Sequence, residues 1–265
     1  DKIKFGSTLS EYGFDPDLKF NFMLTNPPYG TTWKQDQENL NVGTEKKISI
    51  VDQRFNLPIK NFKGEPEVTC LTSRSNDGQL MFMLHNGSAL FTGDAGSGES
   101  GIRQYIIEND LLECIVQLPN DIFYNTGIAT YVWFISNVKE EKRKGKVQLI
   151  NASSAAFFQK MRKSLGSKRN ELTTKNIEAI QEMYFDFEEN EYSKIFDNDD
   201  FGFNQITVHQ PEKDENGKII TDSKGKPKSD SSLKDIENVP MKESIADYFK
   251  KEVLPFAPDA WYDKT

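Results

Sequence analysis

The sequence predicts an α/β fold, in which a sheet that ends in antiparallel strands is followed by a mainly helical C-terminal region. Short apolar runs at 20–25, 111–118 and 129–136 have the length and composition of buried strands. A glycine- and serine-rich stretch at 93–100 precedes a helix predicted over 101–109, so helices alternate with strands. A further strand is predicted at 147–150, after a basic turn. Because these last strands follow each other closely, we expect the sheet to end in an antiparallel hairpin.

Length, charge and cysteine content limit what the protein can be. The 265 residues can bury a sizeable core and form one large domain, or a domain with an appendage. A net charge of −8 argues against a broad basic surface. If DNA were the substrate, another chain would therefore make most of the electrostatic contacts with it. Cys70 and Cys114 are isolated among apolar neighbours, which indicates a reducing cytoplasm and disfavours a cysteine metal site.

The apolar runs also bear on membrane association. No stretch approaches the roughly 18 apolar residues that a membrane span needs. Residues 1–20 lack the basic-then-apolar pattern of a secretory signal. The sequence therefore predicts a cytoplasmic protein that does not enter a membrane.

The most informative stretch is Thr-Asn-Pro-Pro-Tyr-Gly at 25–30, directly after the first strand. Its two prolines fix their own φ at about −65° and push each preceding residue out of the helical region. The result is a stiff turn at the end of a strand. Asn26 offers an amide oxygen, Pro27 offers a carbonyl oxygen, and Tyr29 offers an aromatic face beside them.

Two acceptors in such a turn match the two hydrogens of an exocyclic amine. If both accept from that amine, its lone pair is drawn out of the ring plane toward an electrophile, while the aromatic residue stacks on the ring. The turn is therefore typical of a site that methylates a planar amine or amide. The alternative is an ordinary loop, because Pro-Pro and Asn-Pro pairs are common in turns.

The composition changes after residue 152, which predicts one domain over 1–152 and a C-terminal extension over 153–265. Within the first, the polar segment 31–66 is either a lid over the turn or a surface excursion. The elements predicted in the extension are a basic helix at 157–169, an amphipathic helix at 174–189, a strand at 206–209, an exposed hairpin or flexible loop at 214–232 and a helix at 241–253.

Neither histidine nor the acidic cluster predicts a metal site. His85 and His209 have no ligand partner at a useful spacing, and we interpret them as packing or surface residues. Asp197, Asp199 and Asp200 are interpreted as a solvated loop. The glycine-rich stretch lacks a P-loop lysine, so we interpret it as a structural or partner-contact loop.

Four segments together carry a family resemblance. They are the proline turn at 25–30, the glycine loop at 90–100, the strand and loop at 111–119 and 123–128, and Phe-Gln-Lys-Met-Arg-Lys-Ser-Leu-Gly-Ser-Lys at 158–168. With them the chain resembles the modification (methyltransferase) subunit of type I restriction–modification systems, in the amino-methyltransferase group, nearly throughout its length. The proline turn alone fits several methyltransferase families, whereas the glycine loop and the 158–168 stretch are far more specific.

The resemblance implies a Rossmann-like, S-adenosylmethionine-dependent methyltransferase sheet. It implies transfer of a methyl group from S-adenosylmethionine to N6 of a flipped adenine in DNA. In that reaction Asn26 and the Pro27 carbonyl would hold the amine, and Tyr29 would stack on the base. Pro28 and Phe123 would line the pocket of the flipped adenine. No metal is implied.

The resemblance also implies that the catalytic domain is partial. The family's glycine-containing cofactor motif lies upstream of the position where Asp1 stands, and a helix and a strand of the family are missing between Leu84 and Asn86. Ser7 and Asn26 are the remaining candidates for contact with the cofactor.

The partners that the resemblance implies agree with the acidic charge. A specificity subunit would provide most of the contact with DNA, a restriction subunit would cleave it, and a second copy of the modification subunit would complete the assembly. Two alternatives stay open. One is a non-catalytic assembly module of the same complex, because the cofactor motif is missing. The other is an amide or RNA methyltransferase that uses the same turn.

Overall fold

The computed structural model describes residues 3–11, 13–14, 20–26, 34–44, 49–52, 75–96, 98–124 and 126–264. The chain forms two compact units, Asp1–Asp197 and Asn198–Thr265. A large sheet in the first unit takes its last strand from beyond residue 152. The functional boundary at residue 152 stays a prediction.

The first unit is a sheet with helices. Its strands are β1 (Phe20–Thr25), β2 (Ser75–Asn86), β3 (Leu112–Gln117), β4 (Thr130–Ser136), β5 (Lys146–Asn151), β6 (Gln159–Leu165), β7 (Lys168–Glu171) and β8 (Ser193–Asp197). Its α-helices are α1 (Lys34–Leu40), α2 (Ser88–Phe91), α3 (Gly98–Glu108) and α4 (Thr174–Asp186). Six strands form one sheet in the order β1-β2-β4-β3-β5-β8, and β6 pairs with β7.

Four strands of the large sheet run in the same direction. Strands β1 and β2 are parallel, as are β3 and β5. Strand β4 is antiparallel to both β2 and β3, so these two point the same way on either side of it. Strand β8 is antiparallel to β5. The predicted α/β fold is confirmed, and the runs 111–118 and 129–136 pair in an antiparallel manner. The strand at 147–150 is not the hairpin partner of 129–136, because β5 pairs with β3 and β8.

Alternating side chains of β4 pack on opposite faces of this sheet. Trp133 and Ile135 belong to a core cluster that α3 covers. Val132 and Phe134 pack against a second cluster, which α4 covers. A sheet with helices on both faces is the layer arrangement of α/β proteins.

Strand β2 is continuous at the point where the family resemblance places a missing helix and strand. From Leu80 to Asn86, every residue pairs with a residue of β4 between Ser136 and Thr130. The shortened segment therefore still supplies the strand between β1 and β4.

Helix boundaries follow their capping residues. Helix α4 begins at Thr174 as predicted, because the Thr173 hydroxyl accepts from the backbone N–H of Asn176 and the Asn176 side chain accepts from that of Thr173. Helix α3 begins at Gly98, before the predicted start at 101, so Ser100 lies inside the helix and does not cap it.

A buried arginine ties α4 to the sheet. Arg143 has 2% of its surface exposed. Its guanidinium donates to Oε1 of Gln148 at 3.2 Å and to the backbone carbonyl of Tyr184. The guanidinium carbon also lies 4.2 Å from the ring centroid of Tyr184 and 4.4 Å from that of Phe187. These contacts join the turn before β5 to the end of α4.

We expect Tyr184 to make the free energy of unfolding decrease as the pH rises through the alkaline range. Its hydroxyl donates to Oε2 of Glu113 at 2.5 Å. Burial, and then this bond to Glu113, raise the pKa of Tyr184 above the ordinary 10.0. The folded state therefore holds the proton more tightly than the unfolded state does. This contribution to stability is present below the unfolded pKa and is lost as the pH rises through the folded pKa.

Urea unfolding between about pH 8 and about pH 11 measures this effect, because that range begins below the unfolded pKa of tyrosine, about 10. We expect the wild type to lose more stability over this range than Tyr184→Phe, which has no phenolic proton. An identical pH dependence in the two proteins would contradict the assignment.

The segment 157–169 is a hairpin, and the prediction of a basic helix there was wrong. Strand β6 is antiparallel to β7. Gly166, at φ +61°, makes the turn between them, a conformation that glycine adopts without strain. The basic composition suggested a helix, but the Ser-Leu-Gly-Ser sequence around Gly166 is a turn signal.

The second unit contains an antiparallel sheet. Its strands are β9 (Phe203–His209), β10 (Asp235–Pro240) and β11 (Trp261–Lys264), in the order β10-β9-β11. Helix α5 (Ile245–Tyr248) continues into a π-helical turn at Phe249–Val253. Its core contains Ile206, Val208, Val239, Phe249 and Val253.

The prediction of a mainly helical C-terminal region was wrong. In the described residues from 153 onward, six strands accompany two α-helices. The alternating β-branched residues Ile206 and Val208 fill one face of a strand, and this pattern favours a sheet.

The predicted hairpin at 214–232 is confirmed as a paired segment with two similar turns. Isolated bridges join Lys213 to Ile219 and Thr221 to Pro227. In each turn an aspartate side chain, Asp214 or Asp222, accepts from two backbone N–H groups.

Candidate active site

The topology of the large sheet places Asn26 and the loop that carries Phe123 at one edge. Because β1, β2, β3 and β5 run in the same direction, their carboxyl ends share an edge with the amino end of β4. Asn26 follows β1 directly, and Phe123 lies in the loop from β3 to β4. Ligands of α/β proteins bind at this kind of edge.

The strand order also sets the spacing between these two segments. Strand β2 alone separates β1 from β4 in the sheet. Neighbouring strands lie about 4.8 Å apart, so β1 and β4 are on the order of 10 Å apart. Asn26 therefore follows a strand that lies two strand positions from the one that the Phe123 loop enters.

Asn26 is exposed at the end of β1. Thr25, the residue before it, pairs with Met83 of β2, so the sheet holds the backbone that enters the turn. Pro27, Pro28 and Tyr29 lie outside the described residues, and their roles stay predictions.

Phe123 is half-buried in a compact loop. Its ring packs against the core cluster between the sheet and α4, and its backbone bridges to Thr126. The loop turns at Asp121, where φ is +59°. A Cβ at Gly127 would lie 2.8 Å from Oδ1 of Asp121, so a larger residue there would displace the Asp121 side chain. The loop therefore fixes Phe123, and its role as a wall of the base pocket stays a prediction.

The β6–β7 hairpin holds this loop through backbone hydrogen bonds. The backbone N–H groups of Arg169 and Asn170 both donate to the carbonyl of Asp121, at 2.8 and 3.0 Å. The Asn170 side chain also donates to the carbonyl of Asn120 at 2.9 Å. Asn170 itself is buried. The hairpin and the loop that carries Phe123 are thus one connected structural element.

Ser7, the other predicted cofactor contact, is engaged locally. Its hydroxyl accepts from the backbone N–H of Leu9 at 3.3 Å. Hydrogen bonds from Ser10 and then Ser7 lower the pKa of Asp36. Since a serine has one O–H, donation to Asp36 leaves Ser7 with an acceptor lone pair and no free donor.

The known contacts of Ser7 and Phe123 are local. Ser7 hydrogen-bonds to Leu9 and to Asp36, and the backbone of Phe123 bridges to Thr126. These residues do not by themselves amount to a donor set for S-adenosylmethionine. Cofactor binding by Ser7 and Asn26 therefore stays a prediction.

Buried titratable groups elsewhere have structural roles. Cys114 is fully buried, and burial raises the pKa of its thiol, so the group stays protonated. Burial has the opposite effect on a group that is charged when protonated: it lowers the pKa of His85 and favours the neutral form of its ring. The two ring nitrogens of His209 lie 3.0 Å from Oγ of Ser229 and 3.2 Å from Oδ2 of Asp263. These contacts agree with the interpretation of both histidines as packing residues.

Among the described residues, no group of three His, Cys, Asp or Glu side chains is placed to hold a metal ion. No described helix has both the length and the apolar composition needed to cross a membrane.

Two residues near the Phe123 loop, Tyr124 and Lys168, were not predicted as site residues from the sequence. Tyr124 has 59% of its surface exposed, and Nζ of Lys168 lies 5.6 Å from its ring centroid. Tyr124 could have been found as an aromatic residue adjacent to a predicted pocket residue. Lys168 could not, because a predicted helix at 157–169 left no hairpin to bring it to this loop.

Comparison with known proteins gives the family. The model of the N-6 DNA methylase family matches residues 1–217. The MjaIX methylase subunit of a type I restriction enzyme from Methanocaldococcus jannaschii is 30% identical over 213 residues, which cover 77% of this chain and 34% of that protein. The HindI methylase subunit from Haemophilus influenzae is 37% identical over 84 residues, which cover 32% of this chain and 18% of that protein.

A solved structure supports the fold. The type I restriction-modification system methyltransferase subunit from Streptococcus thermophilus has a TM-score of 0.54 and 23% identity, over 73% of this chain and 38% of that one. The chain spans about a third or less of the length of the curated relatives that it matches. Because the family model covers most of the present sequence, the chain belongs to the N-6 DNA methylase family.

Proposed function

We propose that this chain is part of the modification subunit of a type I restriction–modification enzyme, and that it positions an adenine of DNA for methylation at N6. The observation that carries the proposal is the Asn-Pro-Pro-Tyr sequence directly after β1, at the sheet edge that also receives the Phe123 loop. The names of the relatives as methylase subunits support the same reaction.

In this proposal the turn both holds and activates the target amine. The amide oxygen of Asn26 and the carbonyl oxygen of Pro27 accept from the two amine hydrogens. The nitrogen lone pair is then no longer delocalised into the ring and can attack a methyl group. Since positive charge develops on nitrogen during the attack, both acceptors bind the transition state more strongly than the ground state. S-adenosylmethionine, when bound, supplies the methyl group.

The aromatic residues offset the cost of base flipping. Removing a base from the duplex costs a few kcal/mol. Stacking on an aromatic side chain returns roughly 1–3 kcal/mol per contact. Tyr29 on one side and Phe123 on the other would therefore stabilise an extruded adenine without reading the surrounding sequence. That reading belongs, in this proposal, to a specificity subunit, in a complex with a restriction subunit and a second modification subunit.

Labelled methyl transfer tests the proposal. The full-length protein that contains this chain, assembled with its partner subunits, is incubated with methyl-labelled S-adenosylmethionine and DNA. We expect label in N6-methyladenine. Label in RNA or in a protein amide would instead establish the alternative amide or RNA methyltransferase. Titration calorimetry with S-adenosylmethionine tests the assembly-module alternative, which requires that the cofactor does not bind.

Substitution of Phe123 by alanine is expected to weaken capture of the target base. Loss of about 1–3 kcal/mol of stacking corresponds to roughly a 5- to 150-fold higher KM for DNA. Fluorescence of 2-aminopurine at the target position reports base extrusion and should fall in the same variant. Phe256→Ala removes a phenylalanine that is 87% exposed in the second unit and serves as the control. Unchanged extrusion in Phe123→Ala would exclude Phe123 from the pocket.

A further inference from the structure

The β6–β7 hairpin is strongly basic, although the chain as a whole has a net charge of −8. Between Gln159 and Glu171 it contains five basic residues and one acidic residue. The basic residues are Lys160, Arg162, Lys163, Lys168 and Arg169. The acidic one, Glu171, accepts a hydrogen bond from the Gln159 side chain at 2.6 Å and not from a cation of the hairpin.

These cations have no acidic partners within the described residues, where none of the five makes a salt bridge. Other lysines of the first unit do make salt bridges with acidic residues. Lys139 lies 2.5 Å from Asp110, and Lys146 lies 2.9 Å from Asp197. Clustered cations without counter-charges repel one another, and a bound anion relieves that repulsion.

The charged side chains are also accessible. Lys160, Arg162, Lys163 and Arg169 are exposed. An open cleft of about 480 Å³ lies along β6. It is lined by Gln159, Lys160, Met161, Arg162, Lys163 and Glu171. An extended anionic chain can reach this surface without a change in the fold.

The position of the hairpin links this charge to the candidate active site. Its turn packs on the loop that carries Phe123, where the backbone N–H of Ser167 donates to the carbonyl of Tyr124 at 3.0 Å. A Cβ at Gly166 would lie 3.0 Å from the same carbonyl oxygen, so the approach is close. A polyanion bound by the hairpin would therefore be held at a fixed position relative to Phe123.

We propose that the β6–β7 hairpin binds the phosphate backbone of DNA beside the target base. Phosphate contacts set the register of a protein on the duplex. Because the hairpin is hydrogen-bonded to the carbonyls of Asp121 and Tyr124, the same contacts would also position the base pocket on the DNA. The choice of DNA as the polyanion rests on the proposed function. The hairpin would supply locally an electrostatic contact that the net charge of −8 disfavours for the protein surface as a whole.

A triple substitution tests the inference in the assembled full-length enzyme. Lys160→Gln, Arg162→Gln and Lys163→Gln remove three exposed charges and no hydrogen bond between described residues. Each lost phosphate contact lowers the slope of log affinity against log salt by about 0.9, so we expect the slope to fall by about 2–3. The affinity for duplex DNA near physiological salt should fall roughly 10- to 100-fold.

A matched variant controls for general electrostatics. Lys218→Gln, Lys224→Gln and Lys226→Gln make the same change in net charge at exposed residues of the second unit. We expect a change of less than 1 in their salt slope, since none of them would contact a phosphate. A third variant, Lys160→Arg, Arg162→Lys and Lys163→Arg, keeps the charge and should keep the affinity.

The outcomes separate this inference from the proposed function. Equal effects of the two Gln triples, or wild-type DNA affinity and slope in the hairpin triple, would overturn the inference. Loss of subunit assembly with unchanged DNA affinity would also overturn it and assign the hairpin to a protein partner. If no methyl reaches DNA while the hairpin triple still loses affinity and slope, the proposed function fails and the inference stands.

Discussion

Substitution of Asn26 by alanine is expected to lower methyl transfer to DNA by about 10²–10³-fold or more, mainly in kcat. The estimate comes from sites where one hydrogen-bonding group that stabilises transition-state charge has been removed. The Asn26 amide oxygen accepts from the amine most strongly when positive charge develops on nitrogen, so its loss affects the transition state more than DNA binding. Rates at saturating DNA and S-adenosylmethionine, measured beside the DNA affinity, separate the two effects.

A control from the same strand makes this result interpretable. Asn21→Ala makes the same chemical change at an exposed position of β1, five residues before Asn26, and should leave kcat unchanged. Asn26 makes an interaction of its own in the structure, so the melting temperature of each variant must be compared. Asn26→Asp keeps an acceptor oxygen and should retain more activity than Asn26→Ala. Wild-type kcat in Asn26→Ala would exclude the role of the turn.

The strands were predictable because each is defined by a short local pattern. The apolar run 20–25 matches β1 at both ends, and 111–118 and 129–136 contain β3 and β4. Their pairing was less predictable, since the short turn after 129–136 favours a hairpin with 147–150. In the structure β4 pairs with β2 and β3 instead. The chemistry of the proline turn was equally local, because Asn26 and its neighbours act through adjacent atoms.

What the sequence did not reveal depends on contacts between distant residues. The stretch 157–169 has the composition of an exposed helix, but the hydrogen bonds from Arg169 and Asn170 to Asp121 are available only to a hairpin. Tertiary contacts here outweighed local propensity. The same contacts bring Lys168 to Tyr124. Because the segment 157–169 was predicted as a helix, the sequence did not indicate that its basic residues lie beside the candidate site.

Substitution of Arg143 by alanine is expected to lower the free energy of unfolding by about 2–7 kcal/mol. Gln148 is fully buried, so loss of the donor would leave its Oε1 without a partner, at a cost of about 1–3 kcal/mol. The guanidinium also loses its contacts with the rings of Tyr184 and Phe187, each worth roughly 0.5–2 kcal/mol. Urea unfolding measures the change.

Hydrogen exchange in individual helices distinguishes loss of the Arg143 contacts from general destabilisation of the fold. Helix α4 is bound to the sheet partly through Arg143 and partly through the Gln148 side chain, which donates to the carbonyl of Met183 at 2.7 Å. In Arg143→Ala, hydrogen exchange should therefore accelerate in α4 more than in α3, which covers the other face.

Two further variants test how the buried charge is compensated. Lys142→Ala changes a neighbouring side chain that is 48% exposed and should cost less than about 1 kcal/mol. Arg143→Met keeps much of the buried volume without the charge, so it should cost less than Arg143→Ala if packing dominates. A loss in Arg143→Ala no larger than that in Lys142→Ala would mean that burying the guanidinium costs as much as its contacts contribute. The attachment of α4 would then depend on its apolar face and on the hydrogen bonds from Gln148 to Met183 and from Lys142 to Phe185.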